Sequence, residues 1–329
     1  MMSNQNPRVS LGMPVYNGEN FIKEAIDSLL AQTFEDFELI ISDNASTDRT
    51  EEICREYAAK DRRIRYYRNE QNLGAAQNHN RVFELSRGEY FKWAAHDDLC
   101  APEFLERCVE VLDRDQSVIL CHAMGRIIDE YGKAMEESNE LYIKNCNPNL
   151  NTNSPRPQER FHDLVRLSHP CHQVYGVIRA TTLKMTPLIG GYSSSDRILL
   201  ARLSLLGRFY RIPEYLFFSR SHLKQSTKVA RGPDGIISRH LYNEWFAPAS
   251  KDRLIFPHWK LFYEYLIAIW QAPLSWQERM DCYQHLRGWL RSHRSFLKKD
   301  VVIAAKQILA KLNSRFSKIQ KMPGETRKV

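Results

Sequence analysis

Apolar and polar positions follow a repeating order over the first 120 residues: a short apolar run, a polar cluster, then a stretch at helical spacing. Residues 8–13 form such a run, stopped by Pro14, and residues 20–33 then place Phe21, Ala25, Ile26, Leu29 and Leu30 on one helical face. Residues 37–42 are the next run, ended by Asp43-Asn44 and followed by the helix-start residues Ser46-Thr47-Asp48. Residues 64–67 predict a third strand, and residues 75–85 a helix behind Asn72-Leu73-Gly74. Residues 90–94 and 118–121 predict two more strands, with a helix opened by Pro102 between them. Strands alternating with helices imply a mostly parallel sheet, right-handed crossovers and ligands at the carboxyl ends of the strands. The polar clusters Asn17-Gly18-Glu19, Asp43-Asn44 and His96-Asp97-Asp98 all fall at those ends, so they should converge on one rim.

The pattern changes downstream. Residues 145–157 are rich in Asn and Pro and read as a loop. Asp196 opens a helix with Ile198, Leu199, Leu203 and Leu206 on its buried stripe and Gly207 at its close. Residues 209–218 read as strand, turn and strand, and from about Ile236 the chain reads as helical and Trp/Tyr-rich. The expected organisation is an α/β domain over 1–230, divided near residue 122, followed by a helical region over 231–329.

Composition adds boundaries. A hydrophobic fraction of 43% and a charged fraction of 26% are those of an ordinary globular protein. No apolar run reaches bilayer-spanning length and the start Met1-Met2-Ser3-Asn4 has no signal-peptide character. The expected location is cytoplasmic, with peripheral attachment at the inner face of a membrane as an option. Seven cysteines, with no Cys-x-x-Cys pair, point to reduced thiols rather than a zinc cluster or disulfide framework. The net charge of +8 owes much to the residues after Ser292, where Lys and Arg far outnumber acids.

The chemistry begins at Asp97-Asp98. Adjacent carboxylates after a strand repel one another, and a divalent cation or bound hydroxyls can relieve this. A helix-capping role for Asp98 is the alternative. Asp43 could accept a pyrimidine ring N–H, or could hold the cap-rich loop 43–48. Neither a GxGxxG nor a GxxxxGK[ST] segment is present, so a bound diphosphate would need a metal and basic side chains.

Taken in order, Pro14-Val15-Tyr16-Asn17, Ser42-Asp43-Asn44-Ala45-Ser46-Thr47-Asp48, Asn72-Leu73-Gly74, Gly88-Glu89-Tyr90 and His96-Asp97-Asp98 with Pro102 resemble family 2 glycosyltransferases, nucleotide-sugar enzymes of the GT-A fold. The resemblance implies an inverting transferase that moves a sugar from a UDP- or dTDP-type donor to an acceptor hydroxyl, in surface polysaccharide or glycolipid synthesis. It implies that Val15 and Tyr16 line the base pocket with Asp43, that Pro14 and Asn17 belong to the same nucleotide-sugar site, that Asn72 and Gly74 lie along the nucleotide, and that Asp97 reaches ribose or sugar. Asp98 would hold Mg²⁺ or Mn²⁺. Downstream, Ser194-Ser195-Asp196-Arg197 resembles the family's acidic pair at a helix start, with Asp196 in the place of the catalytic base. Phe218-Ser219-Arg220-Ser221-His222 resembles its Arg-x-His, the Arg near phosphate and the His near metal. Two departures stand out: Ala95 and Ser195 occupy positions where relatives carry acids. A non-catalytic nucleotide-sugar-binding or scaffold protein of the same fold is the alternative.

The donor and a carbohydrate or lipid-linked acceptor are the expected partners. Nucleic acid is not, since the basic tail lacks the aromatic-basic motifs of such modules. Residues 296–322 place Val302, Ala305, Ile308, Leu309, Leu312 and Phe316 at helical spacing among lysines. This suits an anionic membrane surface or, equally, a helix packed on the domain with a solvated basic face.

Overall fold

The computed structural model describes residues 6–136, 149–225, Phe246 and 254–320, with 310–320 as backbone alone. The expected helix start near Ile236, Trp245 and the last residues of the basic tail lie outside the described residues.

The first half runs β1 (Val9–Val15), α1 (Ile22–Leu30), β2 (Phe37–Asp43), α2 (Thr50–Lys60), β3 (Ile64–Arg68), α3 (Ala75–Glu84), β4 (Tyr90–Trp93), β5 (Leu99–Cys100), α4 (Phe104–Arg114) and β6 (Val118–Ile128). The second half runs α5 (Pro157–Arg166), a 3₁₀ turn (His172–Tyr175), β7 (Val177–Arg179), α6 (Ala180–Leu183), α7 (Ser195–Leu206), β8 (Arg208–Arg220), α8 (Pro257–Gln271), α9 (Trp276–Ser292) and α10 (Arg294–Gln320). The strands form one sheet in the order β3-β2-β1-β4-β7-β6-β8-β5. β3, β2, β1 and β4 are parallel, β7 is antiparallel to both β4 and β6, and β8 is parallel to β6. Six strands therefore point the same way, and their carboxyl ends share a rim.

β1 and β2 are buried at every position because helices cover both faces of the sheet. The period-2 alternation sorts them: Leu39 and Ile41 enter one core cluster, and Ile40 enters the other. Gly12 allows α3 to sit close, since a Cβ there would lie 2.7 Å from Phe91 and Val82.

Two sequence expectations change. Residues 208–220 are one strand, not strand-turn-strand. Ala123 pairs with Ile212 and Met124 with Tyr215, so Pro213 and Glu214 are bulged out of the ladder, where a missing N–H costs nothing. β7 and β5 were not foreseen; at three and two residues they are too short to show periodicity.

A third core joins α5 and α7 to α8 and α9 through Phe161, Ile198, Ala201, Leu205, Tyr265, Ile269, Leu286 and Trp289. Arg202 of α7 reaches Glu264 at 2.9 Å and Gln271 at 2.7 Å, both on α8. Leu199, Leu200 and Leu203, on the other side of α7, pack toward the sheet. α7 is thus buried between the sheet and the C-terminal helices, which share its core rather than forming a detached appendage.

Candidate active site

The rim is assembled from loops laced by side chain–backbone hydrogen bonds. After β1, Val15 is buried while Tyr16 is 44% exposed. Asn17 has a positive φ of 52°, and its Oδ1 accepts from the Thr47 N–H at 2.9 Å. The Asn17 N–H donates to Ser46 Oγ at 2.9 Å and the Gly18 N–H to Thr50 Oγ1 at 2.8 Å. The β1 and β2 loops are thereby one unit. A Cβ on Gly18 would lie 2.6 Å from Val15 and 2.8 Å from the His96 ring, so glycine lets His96 close over this corner.

Asp43 ends β2 and is fully buried. Its Oδ1 accepts from the Ser46 N–H and its Oδ2 from the Tyr66 hydroxyl, each at 2.8 Å. The carboxylate that the sequence offered to a base N–H is engaged within the protein, holding the loop that faces Tyr16. Of the residues below it, Asn69 and Asn78 were not singled out from the sequence. Asn44 donates to Asn72 Oδ1 and accepts from the Leu73 N–H, while Asn78 Oδ1 accepts from Ser42 Oγ and Asn69 Nδ2. This buried asparagine set holds the turn at Asn72 and Gly74, where Gly74 takes φ 85° and caps α3. The signal was present in outline: Asn78 sits on the apolar face of α3 with Val82 and Phe83.

Across the rim, the Asp97-Asp98 turn is clasped by the end of β8. Asp98 Oδ1 accepts from the Arg220 N–H at 2.9 Å, and Asp97 Oδ2 lies 2.9 Å from His222 Nε2. Asp98 caps no helix, since α4 begins at Phe104 behind Glu103. Arg220 is fully buried, donating through Nε to the Asp97 carbonyl, through Nη1 to the Glu130 carbonyl and through Nη2 to Glu24. The expectation that it contacts phosphate meets a guanidinium spent inside the protein, with its plane over Phe21 at 4.9 Å. Phe21 also packs on the His222 ring at 4.7 Å.

The two carboxyls are pushed apart in acidity. Burial raises Asp98 well above the usual range and the charge of Asp97 adds to it, against the Arg220 N–H and the Lys92 charge. Burial also opposes ionisation of Asp97, but the charge of His96 and the hydrogen bond from His222 hold it below the usual value. Lys92, buried in β4, donates to the Trp93 carbonyl at 3.0 Å beneath this turn.

Among the described residues, no group of three or more His, Cys, Asp or Glu side chains is placed to hold a metal ion. Asp98 and His222 carry donor atoms of the kinds that Mg²⁺ or Mn²⁺ would take. Oxygen and imidazole donors suit such ions, and the Asp98 carboxylate lacks a full countercharge.

Asp196 stands in the first turn of α7, with its Oδ1 accepting from the Arg197 N–H at 2.8 Å. Burial lowers the pKa of His79, and the Asp196 charge works against that, which places the carboxylate beside α3. His96 acts on the same imidazole. α7 runs through Gly207 straight into β8, so its first turn, with Asp196, lies toward the carboxyl end of that strand. Arg197 is anchored away from it, bonded to His169 Nε2 at 2.7 Å and the His169 carbonyl at 2.9 Å.

Six co-directional strands with acidic side chains at their common carboxyl end define a doubly wound type of α/β fold. Residues 10–175, half of the chain, match the family described as Glycosyl transferase family 2, and the chain belongs to that family. It is 36% identical over 139 residues to an uncharacterized glycosyltransferase of Rickettsia typhi, covering 42% of this chain and 41% of that one. It is 35% identical over 130 residues to EpsE of Bacillus subtilis, also named as a glycosyltransferase, covering 39% and 47%. The chain thus spans less than half the length of these relatives. In fold it is similar to Staphylococcus aureus TarS 1-349 solved with UDP, at TM-score 0.59 and 19% identity over 89% of this chain and 73% of that one. A mannosyltransferase of Pyrobaculum calidifontis, solved with GDP-Man and Mn²⁺, aligns at TM-score 0.52 and 16% identity over 93% and 81%.

Proposed function

We propose that the chain transfers a sugar, with inversion, from a pyrimidine nucleotide-diphosphate sugar to an acceptor hydroxyl. The observation that carries this reading is the Asp97-Asp98 turn at the carboxyl end of the sheet, clasped by Arg220 and His222 from the end of the strand that α7, opened by Asp196, leads into. Tyr16 offers an exposed ring for the base, with Val15 behind it and Asp43 fixing the facing loop. Asn72 and Gly74 border the nucleotide, and Asp97 receives a hydroxyl of ribose or sugar. Asp98 and His222 would hold a divalent cation, which would supply positive charge to the departing diphosphate. Arg220 acts as a positioning residue, keeping both carboxylates in place from below. Asp196 takes the acceptor proton as its oxygen attacks the anomeric carbon. The relatives solved with UDP or UDP-GlcNAc and with GDP-Man and Mn²⁺ support a nucleotide-sugar donor. Family membership supports a product in surface polysaccharide or glycolipid synthesis.

The test is Asp196→Asn, which keeps shape and the local hydrogen bond but loses basicity. Donor binding by calorimetry should stay near wild type while transfer falls about 10²–10⁴-fold. Near-normal transfer by a folded variant would remove Asp196 as the base, and a wild type that binds sugar nucleotides without turning them over would favour a scaffold role.

A further inference from the structure

Helix α10 has a wider apolar stripe than the body beneath it covers. Its first turns are tied down: Asp300 accepts from the His258 N–H at 2.7 Å and lies 2.9 Å from His258 Nδ1, and Trp259 Nε1 donates to the Leu297 carbonyl at 3.1 Å. Leu297, Asp300 and Ala304 are buried against the body, which fixes the rotation of the helix. At 3.6 residues per turn the apolar stripe continues outward from Ala304 and Leu297 through Ile308, Val301, Ala305, Leu309 and Val302. These outer positions face solvent, with Val301 and Val302 about half exposed and Leu309 59% exposed. Single exposed aliphatics are unremarkable, but five on one side of a helix, with Arg294 and Lys298 set among them, mark a contact surface.

The charge on this face selects the partner. Arg294, Lys298, Lys299 and Lys306 are exposed, and the one acid between 294 and 309, Asp300, is buried in its pairing with His258. A second copy docked face to face would set cations against cations. A nucleic acid would neutralise them but leave the aliphatic row in water. A bilayer with anionic headgroups satisfies both, taking the aliphatics below the headgroups while lysines extend to phosphate.

We propose that the outer face of α10 docks on an anionic membrane surface. The helix lies along the interface rather than crossing it, and among the described residues no helix is long and apolar enough to span. The reading is independent of the donor chemistry, because its readout is partition and not turnover.

The full chain would be floated with phosphatidylcholine vesicles containing phosphatidylglycerol, and with phosphatidylcholine alone, at low and moderate salt. Binding is expected only to the anionic vesicles, weakening with salt. Lys298→Glu with Lys299→Glu should reduce partition by about tenfold or more, since each basic residue near such a surface contributes appreciably. Val302→Asp with Leu309→Asp should reduce it as strongly, with thermal melting and sugar-nucleotide binding unchanged because both side chains face solvent. Absence of binding at low salt overturns the proposal. So does anionic binding that survives Val302→Asp with Leu309→Asp, which would make the contact electrostatic alone. A dimer in size-exclusion chromatography that this variant dissociates would assign the face to a second copy.

Discussion

At the scale of single residues, Asp98 shows how burial alters the acidity of a carboxyl group. Its carboxyl is raised by burial and by Asp97, so ionising it without a partner costs stability. Asp98→Asn removes that cost and keeps the oxygen that accepts the Arg220 N–H. The variant should therefore melt no lower than wild type in EDTA. The stabilisation that Mn²⁺ with UDP gives the wild type should disappear, because an amide is a poor ligand and brings no charge. Equal Mn²⁺-dependent shifts in the two proteins would remove Asp98 from the metal site. Asp43 and Arg220 teach the complementary point. The sequence marked both as ligand contacts, and both lie at the rim, yet their polar atoms are bonded within the protein. A residue type suited to a ligand is equally suited to holding the loop that meets it.

At the scale of elements, β6 and the segment around the 3₁₀ turn carry buried histidines that make the fold acid-sensitive. Burial pushes His122 down to about 4, helped by the charges of Arg211 and His172, and His169 down to about 3, helped by Arg197. The unfolded chain binds protons at these sites below about 6.5, whereas the folded chain resists them. Their contribution is therefore complete above pH 6.5 and is lost as pH falls toward the folded value. For His122 the loss by pH 4 is on the order of 3 kcal/mol. Melting temperature should fall between pH 6.5 and 4, and His122→Gln should flatten that fall; an unchanged slope would show that His122 does not titrate across this window. The same elements show where periodicity misleads. The β8 ladder passes Pro213 by a bulge, so a residue that reads as a turn lies inside one strand.

At the scale of the whole molecule, the C-terminal helices bear on the site through α7. Arg202 and Glu264 are both largely buried and pair at 2.9 Å across the α7–α8 contact. Glu264→Ala leaves a buried guanidinium without its carboxylate and should cost roughly 3–5 kcal/mol, read as a lower urea midpoint. Replacing both by Met should recover most of the loss, since an apolar pair of similar volume removes the stranded charge. Because α7 begins at Ser195, Glu264→Ala should lower turnover more than donor affinity. A variant with unaltered stability would show that the pair contributes nothing net.

The sequence by itself determined the strand-helix order, the parallel direction of the principal strands and the rim on which His96-Asp97-Asp98, Asp43 and Asn17 meet. These follow from local periodicity and from chirality, which act within one βαβ unit and leave their mark in consecutive residues. It also brought out Asp196 at a helix start, because a polar residue before an apolar stripe is a local signal. Tertiary structure alone decided that Arg220 and His222 clasp the Asp97-Asp98 turn from more than 120 positions away. It alone buried Asp43 under Tyr66, joined the asparagines at 44, 69 and 78, and set α7 between the sheet and α8. It also fixed the rotation of α10, through Asp300 and His258, and so determined which part of its apolar stripe remains uncovered. The physical reason is common to all of these. Hydrogen bonding and burial between distant segments depend on the sum of the packing, and no window of neighbouring residues contains that sum.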